Sequence, residues 1–195
     1  YRARNGIAQD QVALAVVVQA MVAAEASGVL FTANPLSGKR SETVIDATLG
    51  LGEALVSGQV EPDHYVVDTP RRTIFDKALG AKAITITGAA AGGTVTSTAD
   101  AADRQAIADT VILELVDLGA RVAAFYDAPQ DIEWAWASGE LHLLQARPIT
   151  SLFPVPEGMP PVPLQVMMAF SAVQGIFEPL TPLGQDTMKT VLTGG

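Results

Sequence analysis

The sequence predicts an α+β domain in which an antiparallel sheet packs against one long helix, followed by a proline-rich linker and the start of another, helical domain. Three observations carry this expectation. Short β-branched segments separated by turn residues occupy positions 12–98. One apolar stripe, Ile107, Val111, Leu115, Leu118, Val122 and Phe125, recurs at steps of 4, 4, 3, 4 and 3, the period of an amphipathic helix. Five of the 12 prolines (154, 156, 160, 161 and 163) fall within ten residues, and proline, lacking a backbone donor, favours an extended connection.

Val12 to Met21 reads as a nearly continuous apolar strand buried on both faces. Gly28 to Thr32 is a second strand, stopped by the turn residues Asn34-Pro35 and Ser37-Gly38, and Thr43 to Thr48 is a third. Glu53 to Ser57, between Gly52 and Gly58, allows a short helix. His64 to Asp68 and Thr73 to Ala78 flank Thr69-Pro70 and read as two strands joined by a turn; Ile84 to Thr87 and Thr94 to Thr96 bracket a Gly/Ala-rich loop. The helix is expected over Asp100 to Tyr126, with Thr98 or Asp100 as its cap and Pro129 just past its end. Asp131 to Ala137 and Leu141 to Arg147 follow as a hairpin. The expected domains are residues 1–152, a linker at 153–163, and a following domain at 164–195, in which Leu164 to Phe177 is apolar enough for a helix that needs a partner. Tyr1 to Asp10 has neither a signal peptide's apolar core nor a transit peptide's bias, and we read the chain as entered mid-protein.

Composition excludes several classes. The 195 residues are 49% hydrophobic, ample for a core, and carry 12 Lys+Arg against 21 Asp+Glu, a net charge of −9. That acidic balance, without a basic cluster, argues against nucleic acid as a partner. Cysteine is absent, so neither disulfides nor thiolate metal sites are possible; a reducing, cytoplasmic location is the expectation. No membrane span is expected, since the strongest apolar run, Val12 to Val18, ends at Gln19.

The most informative chemistry lies on the hairpin. Side chains alternate along a strand, so Asp131, Glu133 and Ala135 share one face while Ile132, Trp134 and Trp136 take the other. A three-residue Ser138-Gly139-Glu140 loop pairs Glu133 with Gln145 and Asp131 with Arg147; a two-residue loop places Glu133 opposite Leu144. We favour three residues, because that register gathers the polar groups on one face. So grouped, a carboxylate and an amide oxygen offer hard ligands to Mg2+, which takes one or two protein ligands plus nucleotide phosphates, and Arg147 offers a fork for phosphate oxygens. The competing reading is an ordinary hairpin with an Asp131–Arg147 cross-strand pair and a solvated polar face.

Four stretches, in order, resemble the ATP-grasp nucleotide-binding domain of the phosphoenolpyruvate synthase and pyruvate phosphate dikinase family. They are Gln19-Ala20-Met21-Val22; Ser27-Gly28-Val29-Leu30-Phe31-Thr32-Ala33-Asn34-Pro35; Gly50-Leu51-Gly52-Glu53-Ala54-Leu55-Val56-Ser57-Gly58; and Asp131-Ile132-Glu133-Trp134-Ala135 with Leu144-Gln145-Ala146-Arg147-Pro148-Ile149-Thr150. Met167-Met168 and Glu178 to Gly184 are similar to the opening of the substrate domain in the rifampicin phosphotransferase-type branch.

The resemblance implies an ATP-grasp-like C-terminal lobe, the second of two lobes that hold ATP between them. It implies that Gln19 to Val22 form the hinge beside adenine, with backbone groups of Met21 and Val22 reading the base edge. Glu53 is implied near the ribose or base, though a carboxylate in the first turn of a helix is equally well explained by the helix dipole. Glu133 and Gln145 are implied as Mg2+ ligands, and Arg147 as the catalytic contact to the phosphates. The implied activity is that of a multidomain phosphotransferase passing the β-phosphate of ATP through a phosphohistidine to pyruvate; in the rifampicin branch the acceptor is a drug-like hydroxyl. Implied partners are the first ATP-grasp lobe, before Tyr1, and a phosphohistidine domain, after Gly195. The chain alone is therefore expected to be inactive. A non-catalytic nucleotide-binding or regulatory module is the rival from another class. Gly88 to Gly93 lacks a P-loop ending, Gly50 and Gly52 lack the third glycine of a dinucleotide fingerprint, His64 and His142 stand alone, and Lys39-Arg40 and Arg71-Arg72 read as solvated turn charges. Glu25 lies in the loop between the first two strands, without an assigned role.

Overall fold

The structure is a computed structural model that describes residues 15–153, 155 and 158–160. The chain divides into two compact units, Tyr1–Pro154 and Val155–Gly195, and every element below belongs to the first. The helix expected at 164–177 and the stretches Met167-Met168 and Glu178 to Gly184 lie outside the described residues, as does most of the 153–163 linker.

Six strands form an antiparallel sheet: β1 (Ala26–Phe31), β2 (Glu42–Leu49), β3 (Asp63–Asp68), β4 (Thr73–Ala78), β7 (Gln130–Ala137) and β8 (Glu140–Pro148), in the spatial order β4-β3-β2-β1-β7-β8. A separate two-stranded ribbon joins β5 (Ile84–Gly88) and β6 (Thr94–Thr98). The helices are α1 (Glu53–Val56) and α2 (Asp109–Tyr126). Among the described residues, no helix is long and apolar enough to cross a membrane.

Helix α2 covers one face of the sheet. Val111, Ile112, Leu115 and Val116 pack with Leu30, Ile45, Tyr65, Val67, Ile132 and Trp134, all buried. Gly119 lies where an added Cβ would meet Leu30 Cδ2 at 2.8 Å, so the helix and β1 approach closely there. Gly28, in the middle of β1, has no room for a side chain at all: its Cβ would meet the Asp46 carbonyl oxygen at 1.9 Å and Trp134 Cζ2 at 2.7 Å. The opposite face of the sheet carries Ser27, Val29, Asp46, Glu133 and their neighbours, with Gly52, the N-cap of α1, beside Ser27 at one end.

Three expectations are corrected. The first strand does not form over the described part of 12–21: residues 15–24 are unpaired, and Val16, Val17 and Val18 are 85%, 82% and 95% exposed. β-Branched composition marks a segment suited to pairing, but no described strand lies beside it to supply the ladder. The helix starts at Asp109 rather than Asp100, with Ala108 at its N-cap and no side-chain cap from Thr98 or Asp100. The reason is competition: the Ala106 N–H donates to the Asp63 carboxylate at 2.7 Å instead of to a helical carbonyl. Ile107 is buried nonetheless, whereas Phe125, expected on the same stripe, is 81% exposed and stacks edge-on with Tyr126. The third correction concerns the hairpin.

Candidate functional site: a cavity and a polar hairpin face

Strands β7 and β8 are joined by two residues, Ser138 and Gly139, not three; Ala137 pairs with Glu140. Both turn residues have positive φ (53° and 80°), as a tight two-residue hairpin demands. Carried on unbroken, this register would set Glu133 opposite Leu144. It does not, because Leu144 is an extra, unpaired residue: Trp134 pairs with Leu143, and Glu133 with Gln145. A β-bulge, which adds one residue to one strand and re-aims its side chains, thus restores the pairing of Glu133 with Gln145 and of Asp131 with Arg147. The expected groups meet, through a device the sequence did not announce.

The same bulge turns Leu144 toward a cavity of about 230 Å³ lined by Gln19, Ala20, Met21, Val22, Ala24, Ser27, Leu51, Gly52, Ala135 and Leu144. Three separate stretches converge there: the unpaired segment 19–24, the loop before α1, and the β7–β8 hairpin. The lining is predominantly apolar, with backbone of 19–24 alongside, and its volume is below the roughly 300–1,000 Å³ of complete small-molecule pockets. Of the hinge residues expected at the base, Gln19, Met21 and Val22 all line it. Glu53 does not; it is exposed in the first turn of α1, next to the lining residue Gly52.

From the cavity the site continues along the hairpin. Ala135 is followed on the same face by Glu133 and then Asp131, each step of two residues advancing roughly 6.5 Å. Glu133 is half-buried, and its carboxylate has no hydrogen-bond partner among the described residues. Arg147 donates from Nε to Asp131 Oδ2 at 2.8 Å, while its side chain stays 60% exposed. Its terminal nitrogens have no partner among the described residues. The Asp131 hydrogen bond and charge, with a smaller contribution from Glu133, hold the guanidinium above its ordinary pKa. Asp131 Oδ1 is buried without a partner. The competing cross-strand pair is therefore real, and it uses only one of the three guanidinium nitrogens.

These groups suit Mg2+ bound with a nucleotide. Glu133 and Gln145 supply hard oxygens on adjacent strands, and the partnerless Asp131 Oδ1 marks the same patch as short of donors or cations. Among the described residues, no group of three or more His, Asp or Glu side chains could hold a metal alone. A cation here would need phosphate oxygens to complete its shell.

Sequence reasoning missed Ser27, Leu51 and Leu144. Ser27 opened one of the family-like stretches, just before the expected strand, without a role of its own; it is buried, and its hydroxyl donates to the Gly50 carbonyl at 2.6 Å, tying β1 to the loop that contributes Leu51. His64, read as standing alone, pairs through Nδ1 with Asp46 Oδ1 at 2.7 Å. Lys39, Arg71 and Arg72, read as solvated turn charges, keep exposed side chains while pairing with Glu42, Asp68 and Asp117.

The cavity and, along the same hairpin, a carboxylate, an amide and a guanidinium lie on one face of the sheet. The family described as pyruvate phosphate dikinase, AMP/ATP-binding domain, matches residues 1–157, and this chain belongs to it. The chain is 44% identical to rifampicin phosphotransferase of Streptomyces sviceus over 186 residues, which cover 94% of this chain and 21% of that protein. Identity to rifampicin phosphotransferase of Bacillus subtilis (strain 168) is 41% with the same coverage. Against a probable phosphoenolpyruvate synthase of Methanocaldococcus jannaschii it is 42% over 154 residues, 78% of this chain and 13% of the relative. The chain spans about a fifth or less of the length of these curated relatives.

Proposed function

We propose that this chain is the second lobe of an ATP-grasp site in a multidomain phosphotransferase, binding ATP with Mg2+ so that the β-phosphate passes to a histidine elsewhere in the protein. The observation that carries this is the linear order along one hairpin: an apolar cavity, then Glu133 with Gln145, then Arg147. That order matches base, metal-bound phosphate and transferred phosphate in a nucleotide lying along the strand.

The residues divide the work as follows. Backbone groups of Met21 and Val22 meet the adenine edge, while Ala135, Leu144 and Leu51 cover its faces and exclude water. Glu133 and Gln145 hold the cation, and Arg147, steadied by Asp131, presents its terminal nitrogens to phosphate oxygens. Bound Mg2+ would neutralise charge on the phosphates as transfer proceeds. Glu53 would sit near the ribose, outside the cavity lining.

The final acceptor we propose is a hydroxyl of a drug-like molecule rather than pyruvate. What supports this is that two rifampicin phosphotransferases align over 186 residues, 94% of this chain, which extends beyond the family match at 1–157, while a third aligns over 159 residues and a probable phosphoenolpyruvate synthase over 154. On this proposal the first lobe and the phosphohistidine domain lie elsewhere in a longer protein, with 1–152 as the lobe, 153–163 as linker and 164–195 opening the next domain. Phosphoryl transfer relies on positioning and charge stabilisation, so the chain alone should bind ATP weakly and not turn over.

Filling the cavity tests the reading. In the full-length protein, Ala135→Leu is expected to weaken ATP binding about tenfold by calorimetry, since the added methylenes occupy the space the base would fill and a base packed against them is strained. Unaltered affinity would remove the cavity from the nucleotide site.

A further inference from the structure

We infer that Glu25 is a positioning residue that locks together the three stretches forming the proposed base pocket; the inference rests on that functional reading. Glu25 makes three hydrogen bonds, each to one of two different stretches. Its carboxylate Oε1 accepts the Ser138 N–H at 2.9 Å, at the tip of the β7–β8 hairpin. Its own N–H donates to the Trp136 carbonyl at 2.9 Å, and its carbonyl accepts the Gly50 N–H, also at 2.9 Å. The hinge segment 19–24 runs directly into it, and residues 15–24 have no strand pairing.

Glu25 is therefore the point where the otherwise unpaired hinge is fixed to the hairpin that carries Ala135 and Leu144, and to the loop that carries Leu51 and Gly52. The backbone bonds would survive any substitution; the side-chain bond is the specific contribution. Ser138 has φ of 53° in a two-residue turn, so its N–H lies outside the strand ladder and the carboxylate supplies its partner. Gly50 is equally constrained: with φ of 73°, its Cβ would meet the Ile86 carbonyl oxygen at 2.2 Å. The junction thus couples the width of the base pocket to the tilt of the hairpin tip, while Glu133, Gln145 and Arg147 lie further along the strands.

A selective effect follows. In the full-length protein, Glu25→Ala should weaken ATP binding about fivefold, the scale of one net hydrogen bond, and leave the affinity for inorganic tripolyphosphate unchanged. Glu25→Gln, which keeps an acceptor oxygen, should return ATP affinity to within about twofold of wild type, since an exposed charge adds little. In parallel, hydrogen exchange at the Ser138 amide should accelerate in Glu25→Ala while the α2 amides keep their protection. Unchanged ATP affinity, equal losses for ATP and tripolyphosphate, or an alanine defect that glutamine does not rescue would each overturn the inference and leave the functional reading standing. Failure of the wild-type protein to bind ATP would instead sink that reading.

Discussion

Arg147→Ala is expected to lower kcat of the full-length protein about a hundredfold to a thousandfold, the range found when one preorganised donor to developing charge is removed. The guanidinium is suited to this role by its pairing. Asp131 Oδ2 takes Nε at 2.8 Å and fixes the orientation of the plane, leaving the terminal nitrogens free for phosphate oxygens. Its charge is constant across the working range, because Asp131 raises an already high pKa. Folding should be nearly untouched, since the side chain is 60% exposed and surface ion pairs contribute little. Arg147→Lys should fall between, retaining the charge and losing the planar fork. A steady-state assay at saturating ATP decides it, and wild-type turnover in the alanine variant would remove Arg147 from the phosphate site.

Lys82→Met should destabilise this chain by about 3–5 kcal/mol, the cost of leaving one partner of a buried ion pair uncompensated. Lys82 and Asp63 are both fully buried and paired. The Asp63 carboxylate is a hub: it also accepts the Gly80 N–H at 3.0 Å, the Ala106 N–H at 2.7 Å and the Tyr65 hydroxyl at 3.1 Å. Burial, then the charge and hydrogen bond of Asp63, push the Tyr65 pKa well up, so the phenol remains a donor. Lys82 adopts φ of 43°, an uncommon conformation for a residue with a side chain, and its ammonium also donates to the Gly80 carbonyl at 2.7 Å. The hub binds β3 to the loop entering α2, so its loss should loosen the helix beneath the sheet. Urea unfolding of wild type, Lys82→Met and the double variant with Asp63→Asn measures it. The double variant should lose less than Lys82→Met alone, because no unpaired charge remains; an equal or larger loss would contradict the hub.

Much of this was legible in the residues because alternation and turn chemistry act locally. Glu133 falls on the face opposite Trp134 by period two alone, and Asn34-Pro35 ends β1 for reasons visible in the dipeptide. What was not legible depended on distant partners. The helix start is set by Asp63, which is 43 positions from Ala106 and captures its N–H. The hairpin register is set by a bulge at Leu144, which no turn residue marks; the correct pairing of Glu133 with Gln145 was reached through an incorrect loop length. Val16 to Val18 show the reverse failure, a strand-like composition with no described strand to pair with. The cavity was half visible: Gln19, Met21 and Val22 were expected there, whereas Ser27, Leu51 and Leu144 enter it only through tertiary packing.

The most direct measurement is a crystal structure of the full-length protein with Mg2+ and a non-hydrolysable ATP analogue. The expected result is the base between Leu51 and Leu144, the cation about 2.1 Å from oxygens of Glu133 and Gln145, and a phosphate oxygen on a terminal nitrogen of Arg147. A nucleotide bound elsewhere, or a cation held without either Glu133 or Gln145, would contradict it.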